Sequence, residues 1–192
     1  MELILSILIG ISLAAACGFR VFVPLLVMSI ASLTGNLNLS GDFNWIGTYP
    51  AMISFAVATL IEIGGYYIPW LDNLLDTISS PLAVVAGIVA TTSVIDGMNP
   101  ILDWTISIIA GGSAAGLMQL LTVKARAASS AFTAGAGNPF LSTAEAVTST
   151  TISLAAIFIP IAAVFFIVVV SYLLLKRIRK RRERLKKATT SN

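Results

Sequence analysis

Long apolar runs follow one another through the first 175 residues, separated by short segments rich in Gly, Pro and Asn. Hydrophobic residues make up 57% of the chain and charged residues 11%, whereas soluble domains carry about 25% charged residues. About 20 apolar residues in a helix span the hydrocarbon of a bilayer. The pattern predicts an all-α, polytopic helical membrane protein with about five to six membrane segments, over residues 3–33, 51–68, 69–94, 101–122 and 145–175.

Helix breakers interrupt several of these runs. Gly18 and Pro24 predict a break, or at least a tilt, in the first run, and Pro160 interrupts the last one. The small, polar segment between Lys124 and Thr150 predicts a re-entrant stretch, because irregular backbone at membrane depth needs protein or water around it. Residues 34–50, rich in turn formers, predict an external loop.

Helix starts are marked by asparagine followed by proline. Asn99 and Asn138 are predicted N-caps, each with proline at the first helical position. Ser142 and Glu145 have the spacing of a capping box. Pro-x-Leu-Asp occurs at Pro69 and again at Pro100, which is a weak indication of an internal repeat.

Basic residues are concentrated at the C-terminal end. Residues 176–192 hold nine Lys/Arg and one Glu, which leaves three basic and eight acidic residues before them. We therefore divide the chain into a transmembrane domain, 1–175, and a basic tail, 176–192. The positive-inside rule places the tail in the cytoplasm, where it is expected to contact anionic lipid. So short a run is not expected to bind nucleic acid.

Residue types exclude several kinds of chemistry. There is one cysteine, Cys17, and no histidine, so no intrachain disulfide forms and soft-metal ligands are almost absent. We expect no cofactor and no enzymatic activity, since Cys17 has no obvious activating base. Gly112 and Gly116 form a small-xxx-small pattern that predicts a packing face, which could also join two copies of the chain.

Charged residues inside apolar runs are the strongest functional signal. Glu62 and Tyr66 are four residues apart, as are Asp72 and Asp76, so each pair shares a helix face. Adjacent carboxylates share protons or recruit a cation, which predicts a proton or cation site. The structural alternative is that the aspartates and Glu145 complement helix N-termini and that Arg20 pairs with Glu62.

The aromatic residues near this charged segment allow two interpretations. Tyr66, Tyr67 and Trp70 could form a belt at the water interface, or could line a cavity and offer ring faces to a cation. The first is the commoner reason for such residues in a membrane protein.

Three motifs resemble one membrane-protein family. They are GFRVFVPLL at 18–26, YYIPWLDNLLDTI at 66–78 and GNPFLSTAE at 137–145. Together they resemble the family of domain of unknown function 4126, over about residues 11–160. The resemblance implies a small integral membrane protein of the bacterial cytoplasmic membrane, with related proteins in plants and no established activity.

These observations predict a small multi-pass transporter or channel, coupled to protons or cations, with a charged cavity inside the membrane. The alternatives are a protein that binds or translocates lipid or lipid-linked phosphate, and a membrane assembly factor. The residues expected to bind the ion or solute are Arg20, Glu62, Tyr66, Asp72, Asn73, Asp76, Arg126, Asn138 and Glu145. Whether a metal ion binds there is left open.

Overall fold

The structure is a computed structural model that describes residues 2–133, 137–165, 167–169, 172, 173 and 176, with backbone alone at 2 and 69–73. The regular secondary structure of these residues is entirely helical. The α-helices are α1 (Glu2–Cys17), α2 (Phe22–Leu33), α3 (Tyr49–Gly65), α4 (Pro69–Thr92), α5 (Pro100–Ile106), α6 (Gly112–Thr133) and α7 (Asn138–Phe158). The predicted basic tail lies outside the described residues, apart from Lys176.

The first apolar run is broken where the sequence predicts. Helix α1 ends at Cys17 and α2 begins at Phe22, and Gly18 lies in the turn between them. A Cβ on Gly18 would lie 2.4 Å from the carbonyl oxygen of Ala115 and 2.6 Å from Cβ of Met118. Glycine is therefore required here by the close approach of α6.

The two halves of this run return to the same end of the molecule. Gly10 packs against Thr91 near the end of α4, and Ala14, one turn later in α1, packs against Gly87, one turn earlier in α4. Helix α1 therefore runs antiparallel to α4 and begins at the end of the bundle where α4 finishes. After α2 the chain comes back to the same place, since the amide of Ser40 donates to the carbonyl of Ser93 at 2.8 Å. Helices α1 and α2 thus form a hairpin, which we call the N-terminal hairpin (residues 2–33).

Helices α3 and α4 connect two ends of the bundle. The end where α4 finishes is called here the Ser93 end, and the opposite end, where α3 turns into α4, the Tyr67 end. Ser29 of α2 donates to the carbonyl of Ile46 just before α3, while Glu62 near the end of α3 contacts the start of α2. The tip of the N-terminal hairpin therefore points from the Ser93 end towards the Tyr67 end.

Helices α5 and α6 form one continuous helix, Pro100–Thr133, through a π-helical turn at Ser107–Gly111. It runs antiparallel to α4, with Gly87 against Ala115 and Gly116 against Val84. The predicted packing face of Gly112 and Gly116 is thus used within the chain, and its use between two copies stays a prediction.

The predicted re-entrant stretch between Lys124 and Thr150 is wrong. Helix α6 continues through Lys124 to Thr133, and α7 begins at Asn138 as an ordinary long helix. Small polar residues are compatible with this helix pair because their hydroxyls bond to carbonyls one turn earlier, as Thr148 does to Ala144. Residues 34–50 are likewise only partly loop, because Gly41–Gly47 forms a 3₁₀ helix.

Three helices are long and apolar enough to cross a membrane: Leu74–Thr92, Pro100–Thr133 and Asn138–Phe158. The 3₁₀ helix and α3, bent by 62° relative to each other, count as a fourth if they form one span. Five to six spans are therefore not confirmed. One reason is that the first run, long enough to cross once, folds back on itself as two shorter helices.

Many small residues lie in the interior, and many large apolar residues are exposed. Ala14, Ala86 and Ser149 are buried, whereas Leu60, Val85 and Leu117 are exposed. This distribution is typical of helices in lipid, where small residues let backbones approach and large side chains meet acyl chains.

Candidate functional site

A buried ion cluster lies where the tip of the N-terminal hairpin meets α6 and α7. Its centre is the carboxylate of Glu145, whose Oε2 is 3.3 Å from Nη2 of Arg20. The same carboxylate accepts from Arg126, through Nε at 3.2 Å and through Nη2. Both arginines and Glu145 are almost fully buried. One carboxylate therefore joins three elements: the hairpin tip, α6 and α7.

Tyr66 and Asp76 complete the cluster. The ring centroid of Tyr66 lies 4.2 Å from Cζ of Arg20 and 3.6 Å from Cζ of Arg126, so both guanidinium groups contact the aromatic ring. Nη1 of Arg126 is 3.7 Å from Oδ1 of Asp76. Tyr66 is buried and therefore lines the cluster, which favours the cavity interpretation over the interfacial belt. Tyr67 is half-exposed and its hydroxyl bonds to Thr143 at 2.8 Å.

The cluster lies inside the helical bundle, not at its surface. Asp76 follows the start of α4, Glu145 follows the start of α7, and Arg126 precedes the end of α6, each by about two helical turns. Two turns correspond to roughly 10 Å of helix. The cluster is therefore about 10 Å from the Tyr67 end, at the depth reached by the hairpin tip.

Glu62 bonds to backbone amides next to the cluster, and its predicted binding role stays a prediction. Its Oε1 accepts from the amide of Val21 at 2.8 Å and its Oε2 accepts from the amide of Phe22 at 3.1 Å. These are the first amides of α2, which lack partners in their own helix. The carboxylate of α3 thus caps α2 across the bundle. A cap that lies on another helix gives no local signal in the sequence.

The structure agrees with only some of the predicted N-caps. Asn99 caps α5 as predicted, through its bond from the amide of Ile101. The N-cap predicted at Asn138 is wrong: Gly137 occupies the N-cap position, and the side-chain amide of Asn138 donates to Ser130 at 2.9 Å. The capping box predicted for Ser142 and Glu145 is also wrong, because both lie inside α7 and face Arg20.

The other charged residues whose side chains the structure describes lie apart from the cluster. Lys124 is exposed, as is Asp96, whose carboxylate accepts from the next amide. Asp103 lies in the first turn of α5, as predicted. The side chains of Asp72 and Asn73 are outside the described part of the chain, so their predicted binding role stays a prediction.

Ser142 is a residue of the cluster that the sequence analysis did not include among the binding residues. Its hydroxyl oxygen accepts from Nη2 of Arg20 at 2.6 Å, and its carbonyl accepts from the same nitrogen at 3.0 Å. Ser142 lies three residues before Glu145, so one turn of α7 supplies both groups to Arg20. Its spacing from Glu145 was a usable signal, but the same spacing also describes a capping box.

The charges of the cluster balance when every group is ionised: two arginines meet Glu145 and Asp76. Within the described ranges, no group of three His, Cys, Asp or Glu side chains could hold a metal ion. Carboxylates paired with guanidinium groups can exchange a proton or a counterion. Removing one negative charge would leave an excess positive charge buried between the helices, which is costly unless it is compensated.

Comparison with known proteins gives one match. The sequence profile of the family described as Domain of unknown function (DUF4126) matches residues 7–180. Curated proteins give no match, and neither do solved structures.

Proposed function

The chain belongs to the DUF4126 family, and we propose that it is a proton-coupled membrane transporter whose coupling residue is Glu145. The single observation that carries the proposal is the position of this carboxylate, held by Arg20 and Arg126. Intramembrane carboxylates that face a bundle interior are commonly proton relays. We further propose that it lies in the bacterial cytoplasmic membrane, which the family resemblance implies, and that its C-terminus is cytoplasmic, because of the basic tail.

Glu145 acts as a latch for the N-terminal hairpin. While ionised, it ties Arg20 on the hairpin tip to Arg126 on α6. Protonation removes the charge that the two guanidinium groups share, which weakens the contact between the tip and the rest of the bundle. A hairpin that does not cross the membrane can then move without displacing a full span. Protonation is in this way coupled to opening of the buried site.

Flux through proteoliposomes tests the proposal. With an imposed pH gradient and a salt mixture containing chloride and phosphate, wild-type protein should dissipate the gradient, as measured by a trapped pH-sensitive dye. Glu145→Gln keeps the shape of the side chain but binds no proton, so its flux should fall to that of protein-free liposomes. Flux in this variant equal to wild type would contradict the proposal.

Asp42→Asn is the matched control. Asp42 lies exposed on the 3₁₀ helix at the Ser93 end, whereas the cluster lies near the Tyr67 end. Its substitution also removes one carboxylate charge. Its flux should equal that of wild type at the same reconstituted amount. Loss of flux in both variants would show that net charge or reconstitution, and not the latch, controls the rate.

A further inference from the structure

We propose that Arg20 and Ser142 bind a phosphate oxyanion at the tip of the N-terminal hairpin. The phosphate site is distinct from the proton-binding carboxylate of Glu145. Its ligand defines the substrate class of the proposed transporter. As a binding site it stands on its own observations. Only the movement of the anion across the membrane depends on the proposed function.

Arg20 has donors that the protein leaves unused. Its exposed fraction is 1%, and its Nε and Nη1 have no hydrogen-bond partner among the described residues. The bonds that it makes, to Ser142 and Glu145, all come from Nη2. Three N–H groups of a buried cation are thus left over. A buried donor without an acceptor is costly, and an acceptor from outside the chain would remove this cost.

Ser142 adds a further donor next to these groups. Its oxygen accepts from Arg20, and its hydroxyl hydrogen makes no hydrogen bond within the part of the chain that the structure describes. A hydroxyl that accepts from a guanidinium is free to donate to a second group. Unused donors therefore lie on two neighbouring side chains, one of them positively charged, at one place in the bundle.

Donor-only groups select an acceptor-rich ligand. A metal or organic cation would meet no ligand atom on Arg20 and would be repelled by its charge. Guanidinium groups bind carboxylates and phosphates strongly. Phosphate suits this site better than a carboxylate, because its additional oxygens can reach donors on more than one side of the guanidinium. The phosphate could be inorganic or belong to a lipid headgroup.

The charge of Glu145 affects how tightly the site binds phosphate. With Glu145 and Asp76 ionised, the charges of Arg20 and Arg126 are already balanced, and the Glu62 carboxylate, bound to the amides next to Arg20, adds a further negative charge. A phosphate that enters is then repelled by these carboxylates, and loss of the Glu145 charge lowers this repulsion. Glu145→Gln should therefore bind phosphate more tightly than wild type. A residue with a purely structural role would weaken binding when it is changed.

Equilibrium binding of radiolabelled inorganic phosphate to the full-length protein in neutral detergent tests the site. Wild type should bind saturably. Ser142→Ala removes one donor but keeps the backbone carbonyl that holds Arg20, and should bind about tenfold more weakly, the effect of a lost bond to a charged group. Glu145→Gln should bind about tenfold more tightly, the scale of a nearby charge pair at reduced dielectric.

Ser153→Ala is the matched control. Ser153 is a buried serine on the same helix, and its hydroxyl bonds to the carbonyl of Ser149 one turn earlier in α7. It should bind phosphate as wild type does. Equal weakening in the Ser142 and Ser153 variants would overturn the proposal, as would weaker binding by Glu145→Gln.

Two further measurements distinguish inorganic phosphate from the phosphate of a lipid headgroup. Protein reconstituted in phosphatidylcholine vesicles, with or without phosphatidic acid, is tested for displacement of labelled phosphate. Displacement by phosphatidic acid that is lost in Ser142→Ala assigns a lipid headgroup, and unchanged binding assigns the free ion. No saturable binding in detergent, together with no retained anionic lipid by mass spectrometry, would overturn the site.

The outcome is independent of the flux assay. Saturable phosphate binding without proton flux would reject the transporter and keep the site. Proton flux that depends on Glu145 without phosphate binding would reject the substrate class and keep the transporter.

Discussion

Two buried glutamates, Glu62 and Glu145, show how the partner of a side chain decides its role. Both lie within apolar helices and both are almost fully buried. Glu62 meets two backbone amides, whose positive ends are fixed parts of α2. Glu145 meets two arginine side chains, which can move and can take other partners. The first carboxylate is thus suited to structure and the second to a reversible step.

Glu62→Gln should lower stability without stopping proton flux. A glutamine offers one acceptor where the carboxylate offers two, so one amide at the start of α2 is left without its bond and faces an NH₂ group. We expect the free energy of unfolding to fall by about 1–3 kcal/mol. Thermal or denaturant unfolding in detergent measures this loss, with Asp42→Asn as the control for charge removal.

The flux assay distinguishes this variant from Glu145→Gln. The Glu62 variant that remains folded should retain its flux after correction for the amount of folded protein. Unchanged stability with lost flux would place Glu62 in the transport step and contradict its role as a cap.

At the scale of elements, the break between α1 and α2 depends on one close contact. Sequence reasoning predicted the break, because glycine and proline weaken a helix wherever they occur. The direction of α2 after the break was not predictable, since it is set by Glu62 on α3 and by the approach of α6 at Gly18. Contacts between distant segments decide direction, and they leave no periodic pattern in a uniformly apolar run.

Gly18→Ala should destabilise the protein by about 1–3 kcal/mol, the cost of forcing a methyl group into a packed site. The added Cβ would lie 2.4 Å from a backbone oxygen of α6, which has no flexible end to move aside. Gly64→Ala is the control, because a Cβ there meets nothing within 4 Å. This control should keep or slightly raise stability, since alanine favours helix. Equal unfolding midpoints for the two variants would contradict the close approach of α6.

At the scale of the whole molecule, the sequence predicted two features well: the helical membrane-protein class and the clustering of charged side chains. It predicted the topology of the helices less well. Arg20, Tyr66, Asp76, Arg126 and Glu145 were selected because charge and polar groups in apolar helices need partners, and the structure brings them together. The number of spans was overestimated because length alone does not separate one long crossing from a hairpin. Ser142 was not selected because its spacing from Glu145 also describes a capping box, to which it was assigned.

The N-terminal hairpin places both ends of residues 2–33 on the same side of the membrane, whereas a single crossing would place them on opposite sides. If α1 and α2 return to the Ser93 end, an N-terminal tag that carries a cysteine lies on the same side of the membrane as Asn36, which is exposed just after α2. A cysteine at Ala131, exposed near the end of α6, lies on the opposite side. Cys17 is fully buried and should not react, so the native background is usable.

Labelling sealed vesicles of one orientation with a membrane-impermeant maleimide measures these three positions separately. The tag and Asn36→Cys should react from the same side, and Ala131→Cys only from the other. Lysed vesicles, in which all three sites should react, control for accessibility. Reaction of the tag together with Ala131→Cys would mean that residues 2–33 cross the membrane once. In that arrangement the hairpin tip could not carry Arg20 towards and away from Glu145, and the latch would lose its moving part.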